Sequence, residues 1–375
     1  MKNAKLILSL VVLVVLVGFG IWAYRHVGFD FATFKAQLAQ VSWVKIGIGL
    51  GCIYAAYVIR AIRWALLMRA NKKVPLLSLT GTQVMGFTAV ALIGRVADLV
   101  RPYLVSKKTG SPLSSQVAVY IVERLFDSGA MALIFSLAML WIPQEEILKA
   151  FSHSKMMATL AQHSPFWMAF AARFGGLVLT ALGALFLVAV RISGGAVAAF
   201  FERAFGVFSK KLGASVGDKI RAFRSGLDTM RSGSDIALTA GISLVMWTMI
   251  AGAYFETCTA FSASPQLAAM TPPKCVLLMI VSGGASIFQL PVLGWFTQIG
   301  VVATAITGIL GASVEASTAC AAMLLIVTFL GIVPVGLIWA QFEHVSLRKV
   351  AADSGHAAEE VESENKPPVE EPSKA

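Results

Sequence analysis

Charge is what this sequence has least of. Only 14% of its 375 residues are Asp, Glu, Lys or Arg, against about 25% in a soluble globular domain. Set beside 57% hydrophobic residues, that deficit excludes a soluble globular protein and a disordered chain. Cysteine is scarce too. Cys52, Cys258, Cys275 and Cys320 form no CxxC pair and no metal-ligand spacing, which excludes a disulfide-rich scaffold and a zinc module. They read as membrane-buried thiols, with pairing of Cys258 and Cys275 on the outer side as the alternative. The five histidines (His26, His153, His163, His344 and His356) show no ligand spacing either. No GxxxxGK[ST] phosphate loop occurs. Asp30 stands alone in the first outer loop, where a membrane glycosyltransferase needs paired carboxylates. Without a nucleophile, base and metal set, no enzyme is expected, and neither is a cofactor or metal.

What fills the chain is apolar runs. A spanning helix needs about 20 such residues. The sequence reads as an all-α polytopic transmembrane helix bundle with about six full spans, at 6–23, 46–68, 113–142, 166–190, 236–255 and 318–342. The first has an 18-residue apolar core, Leu6 to Ala23, and no small-x-small site follows it. That core exceeds the usual signal-peptide length of about 7–15 residues. An uncleaved helix is therefore expected, with Trp22 and Tyr24 at the interface.

Two further stretches are less regular. Residues 76–93 contain Thr80, Gly81, Thr82, Gln83, Gly86 and Thr88, and 276–310 is interrupted around Pro291 and Gly294. Irregular backbone survives in a membrane only where protein buries it or a cavity adjoins it. Broken segments in both halves of a chain therefore point to a site. An ordinary spanning helix stays open for 76–93, while 276–310 reads as a re-entrant or hairpin pair.

Net charge is +11, but the basic residues lie in the gaps between apolar runs, so nucleic acid is rejected as a partner. With the amino terminus inside and both irregular stretches returning to their own side, 21 Lys and Arg fall inside and seven outside. The positive-inside rule expects such a split. A spanning 76–93 would turn the eight basic residues of 191–235 outward, so the count favours re-entry and places both termini in the cytoplasm of a bacterial inner membrane. Within 191–235, Val197, Phe200, Phe201, Ala204, Phe208 and Leu212 recur at helical spacing between basic residues. This amphipathic segment lies either on the inner leaflet or on the protein's own inner face. Residues 1–347 thus form an integral membrane domain. Residues 348–375, acidic and proline-containing, are expected to be a disordered tail.

Charges inside spans cost at least ~2.5–3.5 kcal/mol each, so three clusters ask for a reason. Arg60 and Arg63, followed by Trp64, share a helix face near the inner end of their span. Arg63 is close enough to the interface to snorkel. Arg60 lies about 12 Å from Met68 along the helix, and a pair of arginines suits a phosphate. Arg95, Asp98 and Arg101 follow at i, i+3, i+6 on one helical face, and Pro102 is expected to limit that helix. Asp98 has an arginine within reach on either side, and a surface ion pair is the plain alternative. Glu123, Arg124 and Asp127 sit within the third span, with the two carboxylates four residues apart. They need partners at that depth. Arg60 and Arg63 are the obvious ones. An interhelical ion network and a substrate or proton path both remain open.

Arg60-x-x-Arg63-Trp64, Gly86, Arg95-x-x-Asp98-x-x-Arg101-Pro102-Tyr103-Leu104 and Glu123-Arg124-x-x-Asp127, in that order, resemble the family built on the transmembrane region of lysylphosphatidylglycerol synthases, also described as flippase-like. The resemblance covers most of 1–342. Ala97-Asp98 stands where the family usually has Gly-Glu, and Gln289 to Gln298 lacks most of the glycines of its later element. The lipid-aminoacylating members carry a large soluble catalytic domain; with 33 residues after Phe342, none is expected here. The resemblance implies a translocator of anionic lipids or lipid-linked intermediates, with membrane lipids as partners. Arg60, Arg63, Arg95, Asp98, Arg101, Glu123, Arg124 and Asp127 would be its substrate site. A small-solute or ion transporter and a non-transporting scaffold are the alternatives. Association with a second copy or another membrane protein stays open.

Overall fold

The apolar runs become helices because a backbone without water must bond to itself. A computed structural model describes residues 29–68, 74–143, 145, 164–227, 232–285 and 293–364, with no strand among them. The expected first span, 6–23, lies outside the described residues. A short helix α1 (Phe31–Ala39), N-capped by Asp30, precedes α2 (Trp43–Met68). Then come α3 (Leu76–Ile93), a 3-10 turn (Arg95–Leu99), α4 (Val100–Thr109) and α5 (Leu113–Leu140). The long helix α6 (Pro165–Gly206) folds back into α7 (Lys210–Leu227). The second half holds α8 (Gly233–Thr259), α9 (Pro272–Ala285), α10 (Leu293–Leu310), α11 (Val314–Thr328), α12 (Val333–Phe342) and α13 (Leu347–Glu364). Four helices among the described residues are long and apolar enough to cross a membrane: α2, α3, α8 and the stretch Val314–Phe342. A bent pair within α6 makes a fifth. Helix α5 has 28 residues, ample length for a bilayer, and carries Glu123, Arg124 and Asp127.

Residues 76–93 are a continuous helix rather than a broken one. Its glycines serve close packing. A side chain at Gly81 would strike Trp339 of α12, and one at Gly86 would strike Arg101 of α4. The helix stops at Gly94, whose φ of 94° suits glycine alone. From there the chain returns. The 18 residues of α3 advance about 27 Å, and the 3-10 turn plus α4 come back about 25 Å. Lys108 Nζ, near the end of α4, donates to the carbonyl of Ser78, near the start of α3, at 3.3 Å. This helical hairpin therefore begins and ends at one level.

Pro102 does not limit this helix. It sits in the first turn of α4, where a missing N–H costs no hydrogen bond. The region 276–310 is also a hairpin of α9 and α10, bridged where Gln298 Nε2 donates to Ser282 Oγ at 3.3 Å. The interruption at 291 lies outside the described residues. The run 318–342 is not one straight helix. It breaks at Phe329 (φ −135°, ψ −56°) and a 3-10 turn (Leu330–Ile332), ahead of Pro334 in the first turn of α12. The tail expected to be disordered from 348 instead begins as α13. Leu347 and Ala351 are buried there against Ala97, Val100 and Leu104. Apolar residues at i and i+4 give even this polar segment a face to bury.

Cys258, Cys275 and Cys320 are buried, and all four thiols are free. Cys258 does not face Cys275. Its sulfur lies 3.7 Å from that of Cys320, while Cys275 donates to the Ala251 carbonyl.

Candidate functional site: a buried arginine cluster beside a cavity

Helix periodicity brings the first and third charge clusters face to face. Arg60, Arg63 and Trp64 lie on the buried side of α2, and Gln116, Glu123 and Asp127 on the buried side of α5. The hairpin inserts Arg101 between them. Glu123 is the hub. Its Oε1 accepts from Arg63 at 2.7 Å and Arg60 at 3.2 Å, and its Oε2 accepts from Arg101 at 3.2 Å. Asp127 Oδ1 accepts from Arg63 at 2.7 Å and from the indole of Trp247 at 3.2 Å. Arg124 stands 3.3 Å from the second oxygen of Asp127. Arg63 also donates to Ser243 Oγ, Arg101 to Gln83 and Trp64 to Gln116. Arg63 is wholly buried, and Glu123 and Arg101 are 1% exposed.

Aromatic rings accompany the arginines. Phe87 lies under both Arg60, at 4.9 Å, and Arg101, at 4.6 Å. Tyr120 lies under Arg101, at 5.1 Å, and Arg124, at 5.2 Å. A ring face is negative and attracts such cations. Around Glu123 and Asp127 arginines outnumber carboxylates, with Arg60, Arg63, Arg101 and Arg124 against those two and Asp98 close by. Nε of Arg63 and Nε of Arg124 find no hydrogen-bond acceptor.

The cluster faces a cavity of about 320 Å³. Arg60, Arg124 and Asp98 line its charged end, and Tyr254, Ser282 and Gln298 its other end, with Ile53, Met131 and Met279 between. Asp98 brings a third carboxylate to this end. At the far end the Tyr254 hydroxyl donates to Ser282 Oγ at 2.8 Å. The cavity thus joins the two hairpins, with a cationic end, an uncharged polar end and apolar walls.

The structure brings together Arg60, Arg63, Arg101, Glu123, Arg124 and Asp127, and adds Asp98 at the cavity wall. Arg95 opens the 3-10 turn; its side chain lies outside the described residues. Phe87, Tyr120, Ser243 and Trp247 escaped the sequence reading, whereas Gln83 stood among the polar residues of 76–93. Tyr120 is four residues before Arg124 and three before Glu123, a helical spacing that marks it as their neighbour. Nothing in the sequence distinguishes Phe87 from other apolar residues of α3. Among the described residues no group of three or more His, Cys, Asp or Glu is placed to hold a metal.

Neither the curated proteins nor the solved structures contain a significant match to this chain. The family model described as the lysylphosphatidylglycerol synthase TM region aligns with residues 6–337. That span holds every helix of the arginine cluster and both hairpins. This multi-pass membrane protein belongs to the lysylphosphatidylglycerol synthase transmembrane-region family.

Proposed function

We propose that the protein translocates anionic lipids or lipid-linked intermediates across the bacterial plasma membrane, with both termini cytoplasmic. The carrying observation is the arginine cluster at one end of a cavity whose other walls are apolar or uncharged polar. A charge inside a membrane is retained where it meets a partner, and four arginines beside Glu123 and Asp127, with Asp98 at the wall, suit an anion. Arg60 and Arg124 are the groups that reach the cavity, and a guanidinium fork matches phosphate oxygens. The volume suits a head group, not a whole two-chain lipid, so the chains stay in the bilayer. Glu123 and Asp127 orient the arginines. The proposed activity is transport and requires no catalytic step.

Reconstitution into proteoliposomes with fluorescent phosphatidylglycerol tests the reading. Arg60→Gln and Arg124→Gln, at the cavity wall, are expected to lose most lipid movement while eluting as folded protein. Wild-type rates in both variants would overturn the assignment. Substrate-dependent uptake of small anions without lipid movement would assign the same cavity to a solute transporter instead.

A further inference from the structure

The α6–α7 corner lies apart from the arginine cluster. Helix α6 bends by 66° between Arg173–Phe186 and Val188–Gly206, and Ser193 has non-helical backbone (φ −135°, ψ 43°). The first limb is apolar, and the bend turns the second limb away from its axis. Helix α7 then packs back along that second limb. Gly213 and Gly217 let it approach the Glu202 backbone and side chain, and Ile220 is buried in the same core cluster as Trp64 and Val190. The base of this hairpin is therefore fixed to the bundle.

Its corner is not covered. Val207 is 84% exposed and Phe208 83%, with Phe200 and Leu212 also exposed. Arg203, Lys210 and Lys211 are exposed among them. Residues 191–227 hold seven basic residues and only two acids, Glu202 and Asp218. Both acids are bound by one arginine, Arg221, at 3.2 and 2.9 Å, so neither neutralises Arg203, Lys210 or Lys211. Inside the elbow lies an apolar groove of about 430 Å³, where Leu182, Leu185 and Phe186 of the first limb face Val197, Phe200 and Phe201 of the second. A helix in the interfacial plane puts its apolar face toward the acyl chains and its cations toward the phosphates. Here the elbow supplies an apolar groove and exposed cations on limbs set 66° apart.

We infer that the α6–α7 corner is a lipid-binding site for the anionic leaflet in which the protein sits. Acyl chains occupy the groove of the elbow, Val207 and Phe208 dip below the head groups, and Arg203, Lys210 and Lys211 hold phosphates. The site is separate from the transport cavity and keeps anionic phospholipid on the protein whether or not lipid is moved.

The test uses the full-length protein in nanodiscs of phosphatidylcholine alone or with phosphatidylglycerol. A Phe208→Cys variant carries an environment-sensitive fluorophore, with the signal from labelled wild-type protein subtracted. The probe is expected to be quenched by phospholipids bearing a nitroxide near the head group and shielded from aqueous iodide, more so with phosphatidylglycerol present. Native mass spectrometry should retain less phosphatidylglycerol as Arg203→Gln, Lys210→Gln and Lys211→Gln are combined. Each change is worth about five-fold, the equivalent of about 1 kcal/mol per basic residue at an anionic surface. Lys210→Arg with Lys211→Arg should restore retention, a result that a merely structural role for these lysines does not give. A probe open to iodide, or shielded from both quenchers by protein, overturns the inference, and so does retention unchanged in the triple variant. Transport rates do not enter the readout, so the outcome is independent of the cavity's assigned role.

Discussion

Glu123 is the residue on which the site depends most, since four arginines stand within 3.8 Å of its two oxygens. Removing one partner of a buried ion group leaves the rest uncompensated and costs about 3–5 kcal/mol. Glu123→Gln is therefore expected to lower the melting point of the detergent-purified protein sharply and to reduce its monodisperse fraction. Asp98→Asn, at a half-buried cavity position, should leave both nearly unchanged. Size-exclusion profiles after stepwise heating measure the difference. These positions were legible in the sequence because a charge within an apolar run is costly and so stands out. Phe87 and Tyr120 were not, because an aromatic residue in a membrane helix is ordinary until the fold sets two cations against its ring. Arg101 was visible as a charge, yet its meeting with Glu123 depends on the hairpin's return, which no local spacing encodes.

At the scale of elements, small residues set how closely the first hairpin packs. A methyl group on Gly336 of α12 would collide with the Thr88 hydroxyl of α3. Overpacking of this kind costs typically 1–3 kcal/mol. Gly336→Ala should destabilise the protein by about that amount, and adding Thr88→Ala should recover only part of it, since the Thr88 Cβ would still lie 2.7 Å from the new methyl group. A double-mutant cycle on thermal stability reads the coupling; additive losses would show that the two helices do not meet there. Charge sorting favoured a 76–93 that returns to its own side; α3 alone is long and apolar enough to cross a membrane, and it is α4 that brings Lys108 back to Ser78. The glycines and hydroxyl groups of α3 suggested a broken helix, but they serve packing and back-bonding, as Thr82 does to the Ser78 carbonyl. Pro102 and the polar tail were misjudged because a proline at a helix start and one at a helix end look alike without the fold, and because two apolar residues a turn apart gave α13 a surface to bury.

For the molecule as a whole, contacts sort the connections into two ends. Ser42 donates to the Ala260 carbonyl and Ser262 to that of Gln40, tying the start of α2 to the end of α8. Lys108 bridges Ser78 and Glu343 at 2.7 Å from the Glu343 carboxylate, tying the ends of the first hairpin to the end of α12. Cysteines placed at Gln40 and Ser262 are expected to react with an impermeant maleimide added to intact cells. Cysteines at Lys107 and Lys210 should react only after permeabilisation. Reaction of position 107 with position 40 would reverse the topology of the hairpin.

The arginine cluster has an electrical consequence. A polarised membrane acts on a charge with about 2.3 kcal/mol per elementary charge per 100 mV for a full crossing. Arg60, Arg63, Arg101 and Arg124 beside Glu123 and Asp127 place several charges where such a field is felt. Under the proposed translocator role, the field acts on these arginines as well as on an anionic head group, and lipid movement in proteoliposomes is expected to change with an imposed potential.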